Sequence, residues 1–139
     1  MRYDRDTVTP EEVLSIGAES MQRILELTHY EPRKGDRFFI RTEPNKEYVI
    51  EDYRFNFSED IITYDGDKTI SYDDCLPIFT TGLLIDIISF MHSFDLRSFG
   101  NGWVLLWNSE EMFQSNEDEL LVSFLWRALK DLCVAGKLE

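Results

Sequence analysis

The chain has 139 residues, the usual size of one domain, and its 43% hydrophobic and 14% aromatic content excludes a disordered composition. Its 27 acidic and 14 basic side chains give a net charge of −13. Because that charge repels phosphate, we expect no direct binding to nucleic acid or to membranes, and we expect a basic or nucleic-acid-binding protein as the partner.

Cysteine usage and sequence motifs exclude several further classes of protein. Cys75 and Cys133 form no CxxC pair, so neither a disulfide framework nor a zinc ribbon is predicted. The charged residues 1–6 lack the apolar core of a secretory signal, which makes a cytoplasmic setting the expectation. The Walker, GxGxxG, GxSxG and HExxH motifs do not occur, so we expect no cofactor.

The first predicted element is a helix that begins at Thr9-Pro10-Glu11-Glu12. Thr9 is suited to the N-cap, Pro10 to the first helical position and Glu12 to a capping box. Apolar residues then recur at helical spacing up to Leu27, so a single N-terminal helix is predicted.

The middle of the chain has the period-two alternation of strands. Candidate strands cover residues 37–42, 47–57, 61–64 and 69–72. Asp65-Gly66-Asp67 between the last two predicts a hairpin, because glycine accepts the positive φ of such turns. These segments predict a four-stranded antiparallel meander, followed by a connector at residues 73–77.

The most apolar stretch, residues 83–94, predicts a central buried helix capped by Thr80 or Thr81. A membrane span is not predicted, because it would need about 20 apolar residues and Asp86 interrupts the run early. Residues 97–102 are predicted as a loop, and the apolar run Trp103–Trp107 as a strand largely buried on both faces.

The end of the chain predicts a C-terminal helix. Residues 109–114 are predicted as loop, residues 115–118 as the helix cap and Gly136 as the residue that ends the helix. The sequence thus predicts a single α+β domain over residues 1–139. It consists of a four-stranded antiparallel meander and one further strand, packed against a central apolar helix with N- and C-terminal helices.

Negative charge is concentrated in two segments. Residues 43–74 hold ten acids and three bases, and residues 109–139 hold seven acids and three bases. Their exposed carboxylates could contact a basic protein and imitate phosphates, although a solubilising coat would have the same composition. The candidate binding residues are Glu51, Asp52, Asp65, Asp67, Asp73, Asp74, Glu110 and Glu111.

The residues leave two enzymatic alternatives and one structural alternative. A thiol hydrolase could use Cys75 with His92 as base, although no local signature joins them. A metal-dependent hydrolase could hold calcium or magnesium among Asp65, Asp67, Asp73 and Asp74, although the spacing of an EF-hand is absent. A structural or oligomeric phage component could use exposed apolar residues such as Val122 and Trp126.

Three segments carry a resemblance to known proteins. They are residues 73–77 running into a predicted helix, the strand that includes Trp103 and Trp107, and residues 118–129. In the order of these elements the second half of the chain resembles small uncharacterised proteins of phages and mobile elements of gut bacteria. The resemblance implies an accessory cytoplasmic protein and assigns no functional residue.

Charge, motifs and resemblance lead to one functional expectation. The chain shows no set of acid, base and nucleophile that would converge on a substrate, so we expect a binding protein without catalytic activity of its own. It would act through its acidic surface, as a phage- or mobile-element-encoded inhibitor of a nucleic-acid-binding enzyme of the anti-CRISPR kind. An immunity protein for a basic toxin is the alternative with the same surface chemistry.

Overall fold

A computed structural model describes residues 6–55, 58–100, 102–109 and 111–138. Over these residues the chain forms α-helices and three-stranded antiparallel sheets, which confirms the α+β class. It divides into two compact units. The larger unit holds residues 6–8, 13–30 and 79–138, and the smaller unit holds residues 9–12 and 31–78.

Four helices are described: α1 (Pro10–Leu14), α2 (Ala18–Leu27), α3 (Thr81–Met91) and α4 (Leu121–Val134). The strands are β1 (Arg37–Ile40), β2 (Glu43–Val49), β3 (Asp52–Phe55), β4 (Asp60–Tyr64), β5 (Lys68–Ser71), β6 (Cys75–Pro77), β7 (Phe94–Phe99), β8 (Gly102–Trp107) and β9 (Glu111–Gln114). A 3-10 turn, Tyr72–Asp74, joins β5 to β6. Within the described residues, none of the helices combines the length and apolar content needed to cross a membrane.

The N-terminal helical pattern is divided in two. The predicted capping box is confirmed, since the Thr9 amide donates to the Glu12 carboxylate at 3.0 Å and the Glu12 amide donates to Thr9 Oγ1 at 3.1 Å. The single continuous helix is corrected, because Gly17 has a φ of 88° and separates α1 from α2.

The predicted four-stranded meander is corrected to two sheets of the smaller unit, ordered β2-β1-β6 and β3-β4-β5. The chain changes sheet at two adjacent residues: the Ile50 amide donates to the Asp36 carbonyl, and the Glu51 amide donates to the Thr63 carbonyl. The predicted connector at 73–77 includes strand β6, which pairs with β1. The predicted strand end at residues 56–57 lies outside the described residues.

The core of the smaller unit joins residues from both of its sheets. Phe38, Ile50, Ile62 and Cys75 are among its buried members. Half-buried tyrosines surround this cluster: Tyr48, Tyr53, Tyr64 and Tyr72. Aromatic side chains therefore cover much of the apolar surface of this cluster.

Helix α3 lies in the larger unit and is shorter than predicted. Thr80 caps the helix, because its hydroxyl accepts a hydrogen bond from the Leu83 amide at 3.0 Å. Thr80 is one of the two caps that the sequence predicted. Leu84, Ile87 and Ile88 are buried as predicted. Phe90 is 72% exposed and residue 94 starts a strand, so the predicted buried helix over 83–94 is corrected at its end.

The remaining sheet of the larger unit is ordered β7-β8-β9. Two predicted loops, 97–102 and 109–114, are corrected here, because they contribute to β7 and β9. Strand β8 is central, and Leu105 packs with Phe124 of α4. The prediction that β8 is buried on both faces is corrected, since its alternate residues Val104 and Leu106 are only half-buried.

Helix α4 covers the inner face of this sheet. It begins after Leu120 without a side-chain cap, so the predicted cap at 115–118 is wrong. Val122 and Trp126 are 1% and 3% exposed, which corrects their prediction as exposed apolar residues. Gly136 ends the helix as predicted, with a φ of 73° and its amide donating to the Cys133 carbonyl.

Candidate functional site

The hairpin between β4 and β5 gathers carboxylates in the smaller unit. Tyr64 pairs with Lys68, so Asp65, Gly66 and Asp67 form the loop, and Asp65 and Gly66 both have positive φ. The Glu51 carboxylate accepts a hydrogen bond from the Gly66 amide, at 3.1 Å to Oε1 and 3.0 Å to Oε2. Three of the predicted binding residues therefore lie together, and Glu51 also holds the loop.

A second carboxylate approaches this hairpin from strand β2. The Tyr48 hydroxyl donates to Glu43 Oε2 at 3.4 Å, and the Tyr48 and Tyr64 rings lie 4.9 Å apart. Partial burial raises the pKa of Tyr48, and the charges of Glu43 and Asp65 raise it further. We call Glu43, Glu51, Asp65 and Asp67 the hairpin cluster.

The cluster is only partly neutralised by basic side chains. Lys68 Nζ lies 3.8 Å from Asp65 Oδ2, and both side chains are more than half exposed. Such a pair contributes little to stability and is screened by salt. Among the ion pairs described for these residues, Lys68 offsets one of four carboxylates, which leaves this end of the hairpin negative.

Asp52 does not belong to the hairpin cluster. It lies on the outer face of the β3-β4-β5 sheet, where it pairs with Thr63 in register. Arg54 on the same face places its Nε 3.3 Å from Asp52 Oδ2. The predicted acidic face of the sheet is therefore a polar face. Its acidic residue on β3, Asp52, already has the guanidinium of Arg54 beside it.

Asp73 and Asp74 lie at the opposite end of the hairpin. Strand β5 separates them from the loop, and its four residues span roughly 13 Å. The Arg41 side chain donates to the Asp73 carbonyl at 3.0 Å, which brings a positive charge to this end. Because charges are screened over about 8 Å at physiological ionic strength, the two ends act separately.

Two carboxylates of the C-terminal acidic segment, those of Glu111 and Glu119, are engaged in structural contacts. Glu111 is half-buried, and its carboxylate lies 3.3 Å from Lys137 Nζ. Glu119 accepts two hydrogen bonds from Arg127, at 2.9 and 3.1 Å. Glu110, the other candidate of this segment, lies outside the described residues. Of the predicted residues that the structure describes, Glu51, Asp65 and Asp67 are brought together from different parts of the chain.

The thiol alternative meets an unfavourable environment. Cys75 is 1% exposed in strand β6, and its thiol donates to the Ser71 carbonyl at 3.5 Å. Burial raises the pKa of the Cys75 thiol to about 12, and the nearby Asp74 raises it as well. At neutral pH the thiol is therefore protonated and a poor nucleophile.

The metal alternative required the four aspartates of the β4-β5 region to meet. The structure separates Asp65 and Asp67 from Asp73 and Asp74 by the length of β5. Within the described residues, no group of three or more His, Cys, Asp or Glu side chains is arranged to hold a metal ion.

Sequence reasoning missed Glu43 and the two tyrosines that bring it to the hairpin. Their position depends on packing between the β2-β1-β6 and β3-β4-β5 sheets, for which the sequence has no local signal. No known protein family, curated protein or solved structure matches the chain.

Proposed function

We propose that this protein works by binding a basic protein, and that the hairpin cluster forms the electrostatic contact. The observation that carries the proposal is the convergence of Glu43, Glu51, Asp65 and Asp67 at one end of the smaller unit with Lys68 as their neighbouring cation. A negative patch of this kind accelerates association with a basic surface.

The class of partner follows from the charge of the surface. A patch of carboxylates competes with phosphates for a cleft that grips nucleic acid. A phage- or mobile-element-encoded inhibitor of a nucleic-acid-binding enzyme would use it in this way, as an anti-CRISPR protein does. An immunity protein for a basic toxin remains the alternative, and the two differ only in the identity of the partner.

A pair of matched variants tests which end of the hairpin is used. One variant carries Asp65→Asn and Asp67→Asn, and its control carries Asp73→Asn and Asp74→Asn. Each variant removes two negative charges, the first at the hairpin loop and the second at the turn after β5, and all four residues are exposed. We expect the first to slow association by about tenfold at low salt and the second to slow it by less than about threefold.

The partner is first captured from a bacterial host on the immobilised wild-type chain, and association is then measured by surface plasmon resonance at low and high salt. Rising salt should reduce the difference between wild type and the hairpin variant, because exposed charges are screened. If the hairpin variant associates at the wild-type rate at low salt, the cluster is a solubilising coat and the proposal is wrong.

A further inference from the structure

The β7-β8-β9 sheet ends in two edge strands, and the pairing of β7 with β8 shows which main-chain groups of β7 face outward. In an antiparallel pair, every second residue of a strand directs both its amide and its carbonyl at the neighbouring strand. The Asn108 amide donates to the Ser93 carbonyl at 3.0 Å, in the same register as the β7-β8 pairs. Counted in steps of two from Ser93, the odd-numbered residues of β7 bond to β8. The amides and carbonyls of Phe94, Leu96 and Ser98 therefore point away from the sheet.

The opposite edge of the sheet, on β9, is already engaged. The Ser115 amide donates to the Trp103 carbonyl at 2.9 Å, so the same alternation directs the main chain of Gln114 outward. Arg127 of α4 donates to the Gln114 carbonyl at 2.9 Å. A side chain of the same chain therefore occupies a position that an added strand would need.

The edge of β7 is open and regular. Within the part of the chain that the structure describes, no hydrogen bond joins its outward amides and carbonyls to another segment. All six residues of β7 pair with β8 in one unbroken register. Edge strand β2 differs, because it contains Pro44 and its pairing with β1 shifts between Phe38 and Ile40. Proline and bulges block the addition of strands, whereas a regular unpaired edge invites it.

The side chains of β7 determine which strand fits beside it. Asp95 and Arg97 lie on the outer face, where their side chains are 60% and 78% exposed and approach each other to 4.0 Å. Phe94 and Leu96 lie on the inner face and pack against the core cluster that contains Leu105. A fitting strand therefore places an acid opposite Arg97, a base opposite Asp95 and an apolar residue on the inner face.

Strand β7 of a second copy has this pattern when it runs antiparallel to the first. With Leu96 opposite Leu96 of the second copy, Asp95 lies opposite Arg97 of the second copy, and the two-fold symmetry repeats this pair. The charged pairs are then of the non-hydrogen-bonded type, in which side chains are closest. A shift by two residues in either direction places Asp95 opposite itself or Arg97 opposite itself, which is destabilising. Charge therefore selects a single register.

We propose that β7 is a dimerisation edge, at which two copies of the chain join their three-stranded sheets into one six-stranded sheet about a two-fold axis at Leu96. An edge of six residues is roughly 20 Å long, so it buries less than the roughly 800 Å² per partner of a standard interface, and we expect a weak dimer. The inference goes beyond the proposed function and uses none of the residues of the hairpin cluster.

Sedimentation velocity of the full chain, from about 10 µM to about 1 mM, measures the dimer, whose Kd we expect below about 1 mM. Because each copy has a net charge of −13, raising the salt from about 0.05 M to about 0.5 M should tighten the dimer by about threefold or more. Association with a basic partner has the opposite salt dependence. Amide hydrogen exchange should slow at Leu96 and Ser98 as the protein concentration rises, because their outward amides become hydrogen-bonded.

A substitution at Ser98 and its matched control test the main-chain contact. Ser98→Pro removes an outward amide and keeps every amide that β7 donates to β8, and proline is tolerated at such an edge position. It should weaken the dimer by about tenfold or more, because the two-fold symmetry removes the hydrogen bond twice. Ser98→Ala keeps the amide and changes the same exposed side chain, so it should alter the Kd by less than about twofold.

Exchange of the two charges tests the register. Asp95→Arg and Arg97→Asp each place like charges opposite one another, so each should weaken the dimer by about fivefold or more, although they change the net charge in opposite directions. The double variant restores opposite charges at both pairs, and its Kd should return to within about threefold of wild type. An equimolar mixture of the two single variants should form a heterodimer for the same reason.

The proposal is overturned if the wild-type chain stays monomeric at about 1 mM, which would leave the β7 edge to a strand of another protein or to none. It is also overturned if Ser98→Pro dimerises as well as wild type, or if the double charge variant is no tighter than the single ones. Circular dichroism checks the fold of each variant. If Ser98→Pro fails to fold, the charge variants decide, because they change only exposed side chains. Failure of the proposed function would instead show as an unchanged association rate of the hairpin variant with the captured partner.

Discussion

The two consecutive-strand meanders, β3-β4-β5 and β7-β8-β9, share a topology and differ in what they expose. Each is three-stranded and antiparallel, with a fully buried residue on its central strand: Ile62 in the first and Leu105 in the second. The first carries Asp52, Arg54 and Thr63 on its outer face, whereas the second carries the apolar Phe99, Val104 and Met112 there beside the polar Asp95, Arg97 and Gln114.

The difference separates two modes of recognition. The first meander carries its excess charge at its hairpin loop, where carboxylates act over a distance and are screened by salt. The second exposes the apolar side chains of Phe99 and Met112, whose interactions act only on contact and resist salt. The same strand topology can therefore present a charged surface that attracts a partner over a distance or an apolar surface that binds on contact, according to where its polar residues lie.

The largest expected effects come from the buried centre of each meander. Ile62→Ala and Leu105→Ala should each lower the free energy of unfolding by about 2–5 kcal/mol, because both side chains are 0% exposed and truncation leaves a cavity. Urea denaturation followed by circular dichroism measures the change.

Phe99→Ser and Phe55→Ser are the matched controls, because these residues lie on strands of the same two sheets and are 73% and 80% exposed. They should change stability by less than about 0.5 kcal/mol. A loss below 1 kcal/mol for Leu105→Ala would show that the second meander is peripheral to the core.

The second prediction concerns the ion pair of Glu119 and Arg127, because Arg127 also donates to the Gln114 carbonyl at the end of the second meander. Glu119→Gln should cost about 1–3 kcal/mol, since Arg127 loses a charged partner and the Glu119 side chain is only 13% exposed. Hydrogen exchange should accelerate at the Asn116 amide, which donates to Glu119 Oε1 at 2.9 Å, because the neutral carboxamide is a weaker acceptor than the carboxylate.

The exposed pair of the first meander, Asp52 and Arg54, is the comparison for this change. Its side chains are 57% and 75% exposed, so Asp52→Asn should change stability by under about 1 kcal/mol. Equal losses at Glu119 and Asp52 would contradict the structural role given to the half-buried pair of Glu119 and Arg127.

The sequence predicted features that depend on neighbouring residues. The capping box at Thr9 and Glu12, the hairpin at Asp65-Gly66-Asp67 and the helix end at Gly136 are each encoded within a few positions. Buried positions of α3 were also predictable, because helical spacing marks Leu84 and Ile88.

Features that depend on distant residues were not predictable in the same way. Strand β6 has three residues and contains Pro77, and it exists because β1 offers it a partner. The exposure of Phe90 and the burial of Trp126 were predicted wrongly, because the sequence of a helix with a broad apolar face does not show which of its apolar residues other elements cover. Glu43 joined the hairpin cluster only through the packing of Tyr48 on Tyr64.

The third prediction is a loss of stability at alkaline pH that begins in the unit of the first meander. Burial raises the pKa of Cys75 from an ordinary value near 9 to about 12, so the unfolded chain loses this proton first as pH rises. Stability should be intact below pH 9 and fall between pH 9 and 12, by at most about 1.4 kcal/mol per pH unit for this group. Burial raises the pKa of Tyr53 and Tyr72 as well, which adds to the fall above pH 10.

Cys75→Ala separates the contributions to this alkaline loss. The variant should be less stable at pH 7, because it removes a buried side chain, and it should show a shallower decline between pH 9 and 10. Burial also raises the pKa of Cys133 in α4, so Cys133→Ala is the parallel test for the larger unit. An unchanged slope in Cys75→Ala would show that its thiol does not limit alkaline stability.

The smallest expected effects are at the exposed residues of the two meanders. Asp67→Asn in the first and Met112→Gln in the second should each change the free energy of unfolding by less than about 0.5 kcal/mol, since both side chains are exposed. For Asp67→Asn the sign should be stabilising at low salt, because the substitution removes one negative charge from a chain of net charge −13. Screening should abolish that gain in about 1 M salt, whereas the small effect of Met112→Gln should not depend on salt. Thermal unfolding at both salt concentrations measures the two changes. A salt-independent loss above 1 kcal/mol at Asp67 would mean that this carboxylate stabilises the hairpin, and the reason for its presence would then be the fold rather than a partner.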